Sequence, residues 1–231
     1  MTPVPALQVS EIFRSVQGES TRVGLPCTFI RLAGCNLRCR WCDTTYARQG
    51  GTPMSLPDVL HAVHELPAPL YEVTGGEPLL QEVTIDLLRE LLQLARTDPA
   101  SPAEVMLETN GSLDIRPVSS GVLRMIDIKC PASGVHAEML MDNLNHLRPT
   151  DELKFVLADR TDYEYARDLL HKDPRLSRVG AIHFIPASDP TGRKSPALSP
   201  ADLADWILAD RLSVRLSLQL HKIIWGPDTR R

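Results

Sequence analysis

Three cysteines fall within eight positions: Cys35, Cys39 and Cys42, spaced Cys-x3-Cys-x2-Cys in the stretch AGCNLRCRWCDTTYA, residues 33–47. No fourth cysteine or histidine follows within reach. Structural zinc takes four protein ligands, usually as two closely spaced pairs, and the second pair is missing here. Cys27 and Cys130 stand alone, and His61 and His64 fall on a predicted helix. A 4Fe–4S cluster has four irons and normally takes four cysteines, so three thiolates would leave one iron open to another ligand. Three readings stay open on the residues alone: such a cluster, structural zinc with improvised ligands, or unligated thiols. Five cysteines is an odd count, and three of them share one loop. That argues against a disulfide framework and for a metal site in a reducing cytoplasm.

The elements that must position this loop alternate along the chain. LQVSEIF (7–13) and CTFIRLAG (27–34) read as strands, the second running directly into the cysteines. SLPDVLHAVHEL (55–66) carries Leu56, Val59, Leu60 and Val63 at helical spacing, with Ser55 as N-cap and Pro57 tolerated in the first turn. LYEVTGGEP (70–78) is a strand broken by two glycines and a proline, followed by the helix TIDLLRELLQLAR (84–96). Strands are expected over EVMLETNG (104–111), VLRMIDIKCP (122–131), ELKFVLAD (152–159), AIHFIPA (181–187) and RLSLQLHKIIW (215–225). Helices are expected near 136–146, over DYEYARDLL (162–170) and near 200–210.

Such alternation means βαβ units and a mostly parallel sheet. Six or seven units, some with short helices, predict an α/β fold built as an incomplete (β/α) barrel. Ligands then gather at the C-terminal ends of the strands. The cysteine loop, the Gly75–Gly76 pair, Asn110-Gly111 and Lys129 each fall at or just after a predicted strand, so they are expected to form one site. The chain is read as a single domain spanning 1–231.

Composition narrows the class. With 231 residues, 43% of them apolar, the chain can bury a substantial core. A net charge of −4 gives no basic stripe for nucleic acid. No apolar run approaches the ~18 residues of a membrane span. The start MTPVPALQVS lacks a charged n-region and an apolar h-region, so it does not read as a secretory signal, and a cytoplasmic location is expected. Nineteen prolines are spread along the chain without forming a low-complexity tract, and no internal repeat is visible.

The cysteine spacing, with Trp41 at the aromatic position before Cys42, resembles the radical S-adenosylmethionine (SAM) superfamily. The resemblance implies that Cys35, Cys39 and Cys42 hold a 4Fe–4S cluster whose open iron chelates SAM. The reduced cluster then cleaves SAM to a 5′-deoxyadenosyl radical. VTGGEP (73–78) is similar to the superfamily's glycine-rich SAM motif. A Gly-Gly pair after a strand is otherwise commonly a tight turn; here it allows close backbone approach. The resemblance places SAM contacts at Trp41, Cys42, Asp43 and Gly76, and further along at Glu108, Asn110, Lys129, Cys130, Pro131 and, weakly, Pro186. Cys130 itself reads as a small apolar packer more than a ligand.

SEIFRSVQGES (10–20), FIRLAGC (29–35), CDTTYA (42–47) and LQLHKIIW (218–225) together look like the 7-carboxy-7-deazaguanine synthase family, in order and over nearly the whole chain. That resemblance implies conversion of 6-carboxy-5,6,7,8-tetrahydropterin to a 7-deazapurine for queuosine and related bases. Val16, Gln17 and Gly18 would grip the pterin within an N-terminal substrate-binding segment, residues 1–26. Arg31 would take the substrate carboxylate, Thr74 would touch the substrate and Thr44 would ligate Mg2+. A planar arginine fork suits a carboxylate. Alone, Thr44 would read as a turn hydroxyl. An external one-electron donor of flavodoxin or ferredoxin type and a homodimer complete the expectation. Two stretches depart from the pattern: the chain continues past the HK segment as GPDTRR, and HFIPAS (183–188) lacks a Gln-Pro-Met run. A glycyl-radical-enzyme activase would share the cysteine loop and Gly-Gly motif but not VQGES or CDT, and a zinc-binding module would be no enzyme at all.

Overall fold

A computed structural model describes residues 6–97, 103–187 and 198–226. Residues 1–5 of the N-terminal stretch, Ser188 of HFIPAS and residues 227–231 lie outside the described residues.

The first strand, β1 (Ala6–Val16), pairs antiparallel with β2 (Pro26–Leu32) and, at its start, with β3 (Thr52–Ser55). Its register shifts between Val9 and Glu11. Before this bulge Leu7 and Val9 enter the core; after it Ile12 packs on that core, so Glu11 and Phe13 turn to the other face. A bulge re-aims every side chain beyond it. This one sends Glu11 and Phe13 toward Arg31.

Six parallel strands follow β2: β4 (Leu70–Gly75), β5 (Glu104–Thr109), β6 (Leu123–Asp127), β7 (Glu152–Leu157), β8 (Ala181–Pro186) and β9 (Arg215–Leu216). The sheet order β3-β1-β2-β4-β5-β6-β7-β8-β9 runs open between two edges, so the mostly parallel α/β sheet is an incomplete barrel. One face carries α1 (Leu56–His64), α2 (Val83–Thr97), α3 (Arg160–Lys172) and α4 (Pro200–Ala209). Ser55 and Asp159 cap α1 and α3 by accepting from the backbone N–H of Asp58 and Asp162. Ile30, Val73, Leu87, Leu91 and Leu107 form one core beneath these helices, and Leu153, Phe155, Tyr163, Phe184 and Leu203 a second. Each such side chain contributes about 1.5–3 kcal/mol by leaving water. With a period of two, the alternate residues Arg31, Glu72, Thr74, Glu108, Asp127 and Lys154 face a cavity on the opposite side.

Two expectations fail locally, and one strand was not foreseen. No α-helix forms near 136–146; His136–Glu138 and Met141–His146 are 3-10 turns. Buried Asn143 decides this: its amide donates to the Gly111 and Leu113 carbonyls and accepts from the Ile115 N–H, holding the chain to the loop after β5. The expected strand over 215–225 shrinks to Arg215–Leu216, and residues 220–225 form a helix, α5 (Leu220–Trp225). After Ser217 donates its N–H to Phe184, the chain leaves the sheet edge, and Leu220 donates to Gly18. The four-residue β3, with Pro53 in it, gave no readable strand pattern; a proline is tolerated there because the strand is an edge. Among the described residues no helix is long and apolar enough to cross a membrane.

Candidate active site

The cysteine loop leaves the C-terminal end of β2 and is held by arginines. Arg38 donates to the Cys35 carbonyl at 2.7 Å and Arg48 to the Cys39 carbonyl at 3.1 Å. The turn after β4 packs directly beneath: Gly76 donates to the Leu32 carbonyl at 3.0 Å and Glu77 to that of Gly34 at 2.8 Å. A Cβ on Gly76 would fall onto the Gly34 carbonyl oxygen and the Cys35 Cβ, so only glycine permits this approach. Glu77 is fully buried and ties two strand ends together. It accepts from Asn110 N at 2.7 Å and Thr109 Oγ1 at 2.9 Å at the end of β5, and from Leu79 N at 3.0 Å. Burial pushes its carboxyl up, against these hydrogen bonds.

All three loop cysteines line the cavity. Burial pushes the Cys39 thiol up, and the Lys129 ammonium opposes it. Among the described residues no three His, Cys, Asp or Glu side chains converge on a point for one metal ion. Two residues that line the cavity, Asp127 and Arg48, each bury a polar atom without a hydrogen-bond partner, Oδ1 and Nε respectively. Such orphans are costly unless a ligand completes them.

The other wall comes from the loop between β1 and β2. Gln17 Oε1 accepts from the N–H groups of Glu19 (2.5 Å) and Ser20 (3.2 Å), so its Nε2 faces Glu72 and donates to it at 2.7 Å. Thr21 donates to Glu152 on β7 through both its N–H (2.9 Å) and its hydroxyl, which lays the loop across the sheet. Lys154 is buried at the centre, paired with Glu19 at 2.8 Å, with Glu108, and with Asp127 at 3.9 Å. Burial would lower its ammonium, but Glu108, Glu19 and Asp127 hold it well above the ordinary lysine range. Burial likewise raises Glu19, and Lys154, His221 and Gln219 override it, bringing it to about 2. α5 closes this side. A side chain on Gly18 would collide with His221, and Lys222 reaches the cysteine loop to pair with Asp43 at 2.5 Å.

Arg31 stands between these walls. It donates Nε to Glu11 at 2.8 Å, and its guanidinium lies 5.7 Å from the Phe13 ring and 6.0 Å from the Tyr46 ring. Tyr46 donates its hydroxyl to the same Glu11 oxygen at 2.7 Å. Thr44 donates its hydroxyl to Asp43 at 2.9 Å. Partial burial pushes up the half-exposed Asp43 carboxyl, but the Lys222 ammonium and hydrogen bonds from Lys222 and Thr44 hold it well below the usual range.

The cavity thus gathers Val16, Gln17, Gly18, Arg31, Thr44 and Thr74 with Trp41, Cys42, Asp43, Gly76, Glu108, Asn110 and Lys129. Cys130, Pro131 and Pro186 are not among its lining residues. Cys130 is buried in the second core, and burial pushes its thiol well up. Pro131 opens a 3-10 turn, and Pro186 ends β8 opposite Leu157. Glu108, expected beside SAM, lies with Lys154 and accepts from Thr74 Oγ1 at 3.1 Å. The sequence reading missed Glu19, Glu72, Lys154, His221 and Lys222. Charged residues at alternate positions of otherwise apolar strands, as in LYEVTG and ELKFVL, were the available signal for Glu72 and Lys154.

The profile of the Radical SAM superfamily matches residues 29–128, from the middle of β2 past the end of β6. The 7-carboxy-7-deazaguanine synthase of Koribacter versatilis is 44% identical over 230 residues, covering 97% of this chain and 99% of that one. The synthase of Chlorobaculum tepidum is 42% identical, covering 100% of this chain and 99% of the relative. The chain belongs to the 7-carboxy-7-deazaguanine synthase family. The crystal structure of QueE from Escherichia coli shares its fold, with a TM-score of 0.72, coverage of 94% of this chain and 95% of that one, and 23% identity. Membership of this radical SAM family implies a 4Fe–4S cluster and SAM. The residues present fit both: three thiols without a fourth, a glycine turn packed against them, and orphaned polar atoms on Asp127 and Arg48.

Proposed function

We propose that this synthase-family enzyme converts 6-carboxy-5,6,7,8-tetrahydropterin to 7-carboxy-7-deazaguanine with release of ammonia, in the route to queuosine, using Mg2+. One observation carries the reading: the VQGE loop and the CDT loop face one cavity and are joined through α5, which lies far from both in sequence. When bound, the cluster and SAM supply the one-electron chemistry; the chain supplies placement and exclusion of water. Arg31, steadied by Glu11, offers its fork to the substrate carboxylate. Thr44 spends its proton on ionised Asp43, which leaves its oxygen lone pairs for Mg2+; that ion takes few protein oxygens and keeps its waters. Val16 and Gly18 frame the pterin, and Thr74 touches it from β4. Trp41, Cys42, Asp43, Gly76, Asn110 and Lys129 surround SAM. The enzyme works as one domain and as a homodimer in the cytoplasm, reduced by a flavodoxin- or ferredoxin-type donor.

The test is anaerobic incubation with carboxypterin, SAM, Mg2+ and a reductant, followed by mass spectrometry. The ring contraction with loss of ammonia is redox-neutral, so SAM is expected to be regenerated and to outlast many turnovers. Loss of one SAM per product would overturn the reading in favour of the activase class. In the same assay Thr44→Ala should raise the Mg2+ concentration needed by about 10-fold or more, with SAM binding nearly intact. An unchanged Mg2+ requirement would return Thr44 to the role of a turn residue.

A further inference from the structure

Five carboxylates line the cavity: Glu19, Asp43, Glu72, Glu108 and Asp127. Four of them face an ammonium, Glu19 and Glu108 that of Lys154, Asp43 that of Lys222 and Asp127 that of Lys129. Glu72 is 1% exposed, and its hydrogen-bond partner is the neutral amide of Gln17. A buried carboxyl without a cation is uncommon because desolvation disfavours its charge. Gln17 cannot turn away, since two backbone N–H groups fix its carbonyl oxygen.

Position gives this carboxyl a use. Along β4, Glu72 and Thr74 share a face and stand roughly 6.6 Å apart by strand rise. In the β2–β4 ladder Arg31 lies opposite Thr74, and Phe29 opposite Glu72. Phe29 stacks on Phe13 at 5.1 Å, with their planes 14° apart. The cavity therefore has an upper tier, Arg31 and Thr74, and a lower tier of a flat aromatic pair beside a carboxyl. A carboxypterin carries its carboxylate at one end of a fused bicycle. At the far end it presents a ring N–H and an amino N–H side by side, a pair that a carboxylate can accept as it accepts an arginine fork.

Building on the carboxypterin reading above, we propose that Glu72 determines specificity for the 2-amino-4-oxo end of the pterin, accepting its ring N–H and amino N–H while Arg31 holds the carboxylate end. The electrostatics agree. Burial and the Glu108 carboxylate push the Glu72 carboxyl up to about 8, with Glu19 adding to the rise and Gln17 and Lys154 opposing it. Glu108 faces it from β5, Lys154 from β7, and Glu19 and Gln17 from the loop; Cys27 on β2 is a neutral thiol that burial pushes up. Free enzyme at pH 7 thus carries a proton on Glu72. Two N–H donors favour the ionised form, so binding releases that proton.

The experiment measures binding of the carboxypterin to cluster-loaded enzyme with SAM and no reductant, beside its 2-oxo counterpart in which an oxo group replaces the amino group. The unmodified enzyme should prefer the carboxypterin by about 10- to 100-fold. Calorimetry in two buffers of different ionisation heat should show proton release at pH 7 that fades well above pH 8, where Glu72 is already ionised. Glu72→Gln should lower carboxypterin affinity about 10-fold or more, erasing both the preference and the proton release while keeping the cluster's absorption. Full affinity and preference in Glu72→Gln would overturn the proposal and leave the carboxypterin reading standing. An unmodified enzyme that neither binds nor converts carboxypterin overturns both. If Glu72→Gln does not fold, the unmodified enzyme still decides: equal affinity for the two rings with no proton release overturns the proposal.

Discussion

Changing Cys35, Cys39 or Cys42 to alanine is expected to abolish the broad visible absorption of anaerobically reconstituted enzyme, and with it all SAM cleavage. Each thiolate would hold one iron of the cluster, and alanine offers no donor in its place. Among the described residues no fourth cysteine lines the cavity. Cys27→Ala and Cys130→Ala provide the contrast. Both thiols are buried in apolar clusters, Cys27 with Phe29 and Leu70, Cys130 with Ile128 and Phe155. Burial pushes both up, which keeps them protonated and inert. Their removal should cost about 1 kcal/mol of stability and leave the spectrum unchanged. A lost spectrum in either variant would mean that the ligand set has been misassigned.

The parts of the site that rest on local pattern were legible in the sequence. The cysteine spacing, the Gly-Gly break and the Asn-Gly turn each sit at a strand end that hydrophobic alternation had located, and the structure brings all three to one cavity. Helices expected over 55–66, the first from apolar spacing and a cap, over 84–96 and 162–170 and near 200–210 form at 56–64, 83–97, 160–172 and 200–209. What stayed hidden depends on long-range contact. The bulge at Val9–Glu11 reverses which residues of β1 face the site, and no period-two count foresees it. Residues 215–225 alternate like a strand but become α5 because Leu220 binds the Gly18 carbonyl, some two hundred positions away. Lys154 and Glu72 looked like isolated charges in strands; their meaning depends on partners contributed by the β1–β2 loop, β5 and β6. Gln17 is the instructive case. It was expected to grip the pterin, and it lines the cavity, but its carbonyl also holds its own loop and its amide meets Glu72, which no local pattern shows.

Lys154→Met is expected to destabilise the enzyme by about 3–5 kcal/mol, the usual consequence of removing one member of a buried ionic group. The lysine is 6% exposed and serves Glu19 and Glu108, with Asp127 at 3.9 Å also held by Lys129, so its loss leaves Glu19 and Glu108 without their ammonium in a poorly hydrated cavity. The contribution of Glu19 to the pH dependence should change sign. In the unmodified enzyme Glu19 is depressed to about 2, below its unfolded value. Its stabilisation is therefore complete above the ordinary glutamate range and is lost as the pH falls toward about 2. Without Lys154, burial acts on Glu19 with less opposition and raises its folded pKa. The variant then gains more stability as the pH falls from 7 to 5 than the unmodified enzyme, in which Glu72, raised to about 8, already contributes a rise of its own. Urea unfolding at the two pH values measures both slopes. Adding Glu108→Gln to Lys154→Met should recover part of the loss, because one of the stranded charges is then gone. A variant as stable as the parent at pH 7, with the parent's pH slope, would show that Lys154 does not neutralise this cluster.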